Sequence, residues 1–445
     1  MHNKIWIMFI FDTMKKLCLV VAGLMMSLTL CFSQSRENIL KVYNWADYID
    51  EELIGEFEQW YEAQTGKPVK IVYQLFDINE IMLSKIERGH EDFDVVCPSD
   101  YIIERMLRAD LLLPIDKNFP DSINWMGNLS PYIVEQFNKV DGHGKNANDY
   151  AVGYMWGTTG YLYNTKYVTE EEVSTWNALA NPKFAGKIFV KDAFRDVYCP
   201  ILIYLKQDEL KSGAVTLDSL MYDSSDASIA LVEQYLKSVS GNISGWEADF
   251  GKEQMTKEKA WLNFTWSGDA AWAMEEAEAV GVSLDYRVPD EGSNVWFDGW
   301  VIPKYAKNVE AARYFIDFMC KPENAIRNMD AIGYVSAVGG QQVLESQIDA
   351  ESFEPLDASY FFGPDAAAVP VNPVLYPDYS TIQRCAMMHD SGDRTDLLLA
   401  MWSRVKGDNA SATTYIILAL AVLALIAALL VSRKNSKKRK SRRGR

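Results

Sequence analysis

Histidine and cysteine are scarce in this chain of 445 residues. The four histidines, His2, His90, His143 and His389, form no cluster, and two of the six cysteines, Cys18 and Cys31, fall in the first 33 residues. Cys97, Cys199, Cys320 and Cys385 lack metal-like spacing, which argues against a zinc site and leaves a disulfide possible but unassigned. Basic charge is also deficient where the chain is expected to fold. From Gln34 to Val431, 32 Lys and Arg stand against 60 Asp and Glu, a net charge of −28. A field of that sign repels phosphate and attracts cations, which argues against nucleic acid as the partner of this region. No phosphate-binding glycine loop, nucleophile elbow or zinc-binding helix motif is visible, so no enzyme class announces itself.

Long apolar runs are confined to the two ends. From Met14, "MKKLCLVVAGLMMSLTLCFSQS" has two lysines, an apolar core and then small residues, the pattern of a secretory signal peptide over residues 1–33. Cleavage is expected after Ser33; lipidation at Cys31 is the weaker alternative, because Leu30 stands where a small residue would precede the cysteine. Near the other end, "TTYIILALAVLALIAALLVS" supplies about 20 uncharged residues, enough to cross a hydrocarbon core of about 30 Å. The basic tail 433–445 follows at once and is expected to stay in the cytoplasm. The implied arrangement is an exported folded region on a transmembrane helix over 412–432.

What is present in quantity is aromatic surface, with 23 Tyr and 13 Trp. The length exceeds what one core usually supports, so two domains are expected. Strand-like "ILKVYNW", helical "DEELIGEFEQWYEAQTG", strand-like "PVKIVYQLF", helical "INEIMLSKIERG", strand-like "FDVVCPS" and helical "YIIERMLRADLL" follow one another. That β-α-β-α-β order predicts a parallel sheet, which binds ligands beyond the carboxyl ends of its strands. Those ends carry acids and rings: Trp45, Asp47 and Tyr48; Asp77 to Glu80; Ser99, Asp100 and Tyr101. The same grammar returns in Asp192, Arg195 and Asp196, in Trp266 and Asp269, and in Trp296 with Asp298.

Taken singly, an Asp after a strand caps a helix and a Trp at a strand end packs into the core. Repetition points further. Helix N-termini favour anions, so fixed carboxylates there invert the local field, and ring faces add cation–π contact worth about 0.5–2 kcal/mol. The ligand implied is an extended organic cation, apolar in its middle and ammonium at its ends. Glycoside hydrolysis also uses two carboxylates, but it needs one specific pair rather than acids spread over six strand ends. A ligand-sensing receptor module is the other alternative.

The stretches "KVYNWADYID", "YQLFDINEIMLSKI", "FDVVCPSDYIIERM", "GYMWGTTGYLYN", "WSGDAAWA", "VWFDGWVIPKYAKN" and "AIGY" together resemble the polyamine-binding proteins of spermidine/putrescine ABC importers, from about Ile39 to Lys406. The resemblance implies an α/β, type II periplasmic-binding-protein fold with two lobes and a hinge. Lobe 1 is expected over 37–150 and 298–343, and lobe 2 over 151–297 and 344–408. It implies a monomer that binds spermidine or putrescine without cofactor or catalysis and presents it to an ABC permease. Carried over by position, the ligand-binding residues are Trp45, Asp47, Tyr48, Ser99, Tyr101, Asp196, Trp266, Asp269, Trp296, Asp298 and Tyr334. Three departures stand out: Ala46 replaces a hydroxyl residue, Met388 falls where the family carries a late Gln, and the C-terminal span is unusual.

Overall fold

The apolar run Ile39–Trp45 (β1) pairs along its whole length with the parallel strand Lys70–Phe76 (β2). Between them Glu52–Thr65 (α1) buries Leu53, Phe57 and Tyr61 at helical spacing and stops at Gly66, whose φ of 70° suits a residue without Cβ. Asn79–Glu87 (α2), Val95–Val96 (β3) and Asp100–Arg108 (α3) complete the expected unit, with β3 parallel to β1. The strand expected from Phe93 to Ser99 is regular only at Val95–Val96, since Pro98 has no N–H to continue a ladder. The helix expected through Leu112 ends at Arg108, and Leu112–Leu113 (β4) joins the sheet.

This computed structural model describes residues 36–117, 124–248 and 250–407. The expected signal peptide, the transmembrane helix over 412–432 and the basic tail lie outside them. Among the described residues no helix is long and apolar enough to cross a membrane. Cys97, Cys199, Cys320 and Cys385 are free thiols.

Further along come Ala151–Asn164 (β5), Ile188–Lys191 (β6), Phe194–Leu205 (α4), Ile243–Glu247 (β7), Leu262–Trp266 (β8), Ser267–Ala279 (α5), Leu284–Arg287 (β9), Ser293–Pro303 (β10), Val335–Ser336 (β11), Cys385–Met387 (β12) and Thr395–Lys406 (α6). The main path of the sheet runs β2-β1-β3-β10-β5-β8-β6-β7, with β9 and β11 added on β5 and with β4 and β12 on β10. Both flanks are parallel, as expected, but the sheet as a whole is mixed: β5 and β10 run antiparallel through its middle. Every residue of these two strands is buried, which is why they read as unbroken apolar and aromatic runs rather than alternating ones. The first half of β5 pairs with β10 and β11 and the second half with β8 and β9, so the two flanks are tied together by two central strands. The strand ends that carry Tyr48, Ser99, Asp196 and Asp298 are thereby brought to this central seam.

Candidate ligand-binding site

Along β10, Asn294, Trp296 and Asp298 alternate at the strand period and so share one face. Asp298 is buried and accepts hydrogen bonds from the Tyr48 hydroxyl at 2.9 Å and the Ser99 hydroxyl at 2.7 Å. Tyr48 comes from the loop after β1, and Ser99 from the N-cap position of α3, where its backbone also bridges to Asp298. Asn79, the first residue of α2, donates to both the Ser99 hydroxyl at 3.0 Å and the Tyr101 hydroxyl at 2.9 Å, fixing both. Burial pushes the Asp298 carboxyl up to about 7 despite its two hydroxyl partners, and the nearby charge of Asp196 adds to the rise.

Asp196 stands in the first turn of α4, where it accepts from the Asn294 amide at 3.1 Å and from the Trp266 side chain. Burial raises its pKa to about 6. Among the described residues no lysine, arginine or histidine forms an ion pair with Asp196 or Asp298. Two further polar atoms beside them, Asn294 Oδ1 and Trp296 Nε1, are buried without a hydrogen-bond partner. Rings close the space: Trp296 lies 5.7 Å from Tyr334, and Tyr334 stands edge-on to Tyr48 at 5.3 Å. Two glycines allow this approach. A Cβ on Gly157 would meet Trp296 Cζ2 at 2.6 Å, and one on Gly268 would run into the Tyr334 ring.

Two other acid and ring pairs are already matched with cations from the chain itself. Asp269 is buried with Oδ2 only 2.5 Å from Lys191 Nζ, and it accepts the Tyr334 hydroxyl at 2.8 Å. Burial alone would raise its pKa, but Lys191 and Lys252 hold it below the usual carboxylate range. The Lys191 ammonium also lies 4.4 Å from the Trp266 ring centroid. In the same way the Arg195 guanidinium sits 4.1 Å from the Tyr101 ring and pairs with Glu80 at 2.7 Å. The cation at both places is supplied by the chain rather than by a ligand.

Nine of the eleven residues singled out in the sequence are therefore linked at the seam, directly or through Asn79, Asn294, Lys191 and Arg195. Trp45 is half-buried against Phe76 at 4.5 Å, leaves its indole N–H without a partner, and is joined to none of the nine by a hydrogen bond or ring contact. Asp47 stands apart: it is exposed in a left-handed turn with φ of 50°, and no hydrogen bond or ion pair links it to the rest. Sequence reading missed Asn294, Lys191 and Asn79. For Asn294 a signal existed, since it is two residues before Trp296 on a strand already assigned. Met388 reaches this group through a 3.6 Å contact with the Asn294 amide, whereas His389 and Asp390 turn to Glu104 and Arg108. A cavity of about 690 Å³ lined by Tyr132, Glu135, Tyr222, Tyr360 and His389 contains none of the eleven.

Residues 56–342 match the family described as bacterial extracellular solute-binding protein. The chain belongs to that family. This solute-binding protein is 29% identical over 332 residues to the putrescine-binding periplasmic protein PotF of Escherichia coli strain K12, covering 72% of this chain and 83% of that protein. It is 26% identical over 370 residues to the spermidine/putrescine-binding periplasmic protein of the same organism, covering 83% and 92%. Among solved structures it resembles PotD, the substrate-binding protein of the spermidine/putrescine ABC transporter from Streptococcus pneumoniae. That match has a TM-score of 0.60 at 28% identity over 83% of this chain and 99% of the other. The mixed α/β architecture of this solute-binding protein is that of the periplasmic binding proteins.

Proposed function

We propose that the protein is an extracytoplasmic polyamine receptor that delivers its ligand to an ABC importer. The observation that carries this reading is the pair Asp196 and Asp298, two enclosed carboxylates with raised pKa and no ion pair among the described residues, beside aromatic walls. A buried carboxylate without counter-charge is costly, and an ammonium removes that cost on arrival. Trp266, Trp296, Tyr48 and Tyr334 offer ring faces for the methylene chain, while Asn294 Oδ1 is an acceptor for an amine N–H. The names of the relatives support the same ligand class.

In this reading lobe 1 (37–150 and 298–343) and lobe 2 (151–297 and 344–408) hinge about β5 and β10. Asp298, Tyr48 and Ser99 come from the first, Asp196 and Trp266 from the second. Ligand bridges them, and the closed form is what a permease recognises. Removal of the leader 1–33 and retention of the span 412–432 would hold this monomer at the outer face of the membrane, raising its effective concentration near the permease. No step calls for catalysis.

Titration calorimetry of the purified chain with putrescine, spermidine, cadaverine and a sugar tests the proposal. Binding of at least one of the amines and not of the sugar is expected. Turnover of a glycoside, or sugar binding without amine binding, would overturn it.

A further inference from the structure

One acid and ring pair in the seam is filled by the chain itself. Lys191 ends β6 and is 1% exposed. Its ammonium lies 2.5 Å from Asp269 Oδ2 and 3.4 Å from Glu247 Oε1, donates to the Ala248 carbonyl at 2.7 Å, and stands 4.4 Å from the Trp266 ring centroid. An alkylammonium held between a carboxylate and an indole face is what a bound amine terminus would be; here its methylene stem is a lysine side chain. Asp269 and Glu247 supply two negative groups, and Lys191 and Lys252, the latter 3.9 Å from Asp269 Oδ1, supply two positive ones. Arg195 does the same for Glu80 and the Tyr101 ring. What stays without an ion pair is Asp298 and Asp196, the latter feeling the Arg195 charge only at a distance, while the buried Asp100 beside them is held by the Tyr101 and Phe297 backbone N–H groups.

We infer that Lys191 is an internal ammonium occupying one amine subsite of the cleft, and that it restricts the ligand to a diamine. This inference rests on the polyamine reading above. Two ammonium groups satisfy Asp196 and Asp298. A third would meet Asp269 and Glu80 already paired with Lys191 and Arg195, whose charges repel it. Lys191 thus acts as a specificity residue without being expected to touch the reacting partner of any chemistry, because its role is to fill space and charge that a triamine would need.

The test is chemical rescue combined with a selectivity measurement on the full chain. Lys191→Ala removes the ammonium and most of its stem, leaving a channel the size of propylammonium against Asp269. Propylammonium is expected to raise the melting temperature of K191A and not that of the wild type, and propanol, a neutral analogue of similar shape, to raise neither. In calorimetry the ratio of spermidine to putrescine affinity is expected to rise by about ten-fold or more in K191A, and to stay at the wild-type ratio in K191R. If K191A does not fold alone, purification in propylammonium is expected to recover it. Equal response to propylammonium and propanol, failure of propylammonium to recover the fold, or an unchanged affinity ratio would each overturn the inference. A wild-type chain that binds neither amine would overturn the polyamine reading and the diamine restriction with it, while rescue of K191A by propylammonium would still separate that failure from one at Lys191.

Discussion

Tyr48 and Asp298 are 250 positions apart in the chain, yet the Tyr48 hydroxyl donates to Asp298 Oδ2 at 2.9 Å and both side chains are buried. The contact joins the loop after β1 to the point on β10 where the register shifts between Asp298 and Gly299. A hydroxyl satisfies a carboxylate oxygen without supplying a counter-charge, so the group is oriented and left open to an ammonium.

Replacing that charge separates binding from folding. Asp298→Asn is expected to weaken amine binding by about 2–5 kcal/mol, the usual loss when one member of a desolvated charge pair is removed. The same change relieves an unpaired buried carboxylate, so the ligand-free variant should melt no lower than the wild type at pH 8. Calorimetry and thermal unfolding on one preparation check both halves. A variant that unfolds but still binds amine would contradict the placement.

Proton linkage gives a second expectation. Asp298 titrates at about 7 and Asp196 at about 6, both above the ordinary aspartate value of 3.8. Because the folded state binds these protons more tightly than the unfolded chain, the stability they contribute is full below about pH 4 and is lost as pH rises through 6 and 7. An ammonium favours the charged forms, so binding should release protons near pH 6, and affinity should fall as pH drops from about 7 to about 5. Calorimetry in buffers of different ionisation enthalpy measures the released protons directly; uptake or no exchange at pH 6 would be the wrong sign.

The two glycines under the rings make a third. Gly157→Ala places a Cβ 2.5 Å from Ser267 Oγ and 2.6 Å from Trp296 Cζ2, and overpacking of this kind costs about 1–3 kcal/mol. Gly268 is the second residue of α5, where alanine would ordinarily gain part of the roughly 1 kcal/mol of interior helix propensity. Gly268→Ala is nevertheless expected to destabilise, because its Cβ would meet the Tyr334 ring. Denaturant unfolding gives both values, and a stabilised G268A would show that Tyr334 yields easily.

Arg195 and Glu80 link α4 to α2 at 2.7 Å, with Arg195 buried and its other arm donating to Thr395 at 3.1 Å. Glu80→Gln removes the charge-assisted partner and is expected to cost about 1–3 kcal/mol of stability in the ligand-free protein. Asp47→Asn, by contrast, alters an exposed carboxylate in a left-handed turn that asparagine also accepts, and should change amine affinity by less than about 0.5 kcal/mol.

Local pattern made much of this molecule legible in advance. The spacing of Leu53, Phe57 and Tyr61 fixed the buried face of α1, and Gly66 its end; β1 was read to its last residue. The recurrence of acids beside rings at strand ends marked Trp45, Tyr48, Asp196, Trp266, Trp296 and Asp298, and their order along the chain carried the family resemblance. The central strands were harder, because β5 and β10 are buried on both faces and lose the alternation that reveals a strand's orientation.

Side-chain period and turn chemistry depend on near neighbours, so the sequence by itself determined the elements, their buried faces and the collection of groups suited to an organic cation. Which of those groups are still available was decided only by the tertiary structure. Charge compensation depends on separation in space and on depth from water, neither of which follows from position in the chain. Lys191 lies 78 positions before Asp269 and neutralises it, while Asp196, next to Arg195 in sequence, keeps no ion-pair partner among the described residues.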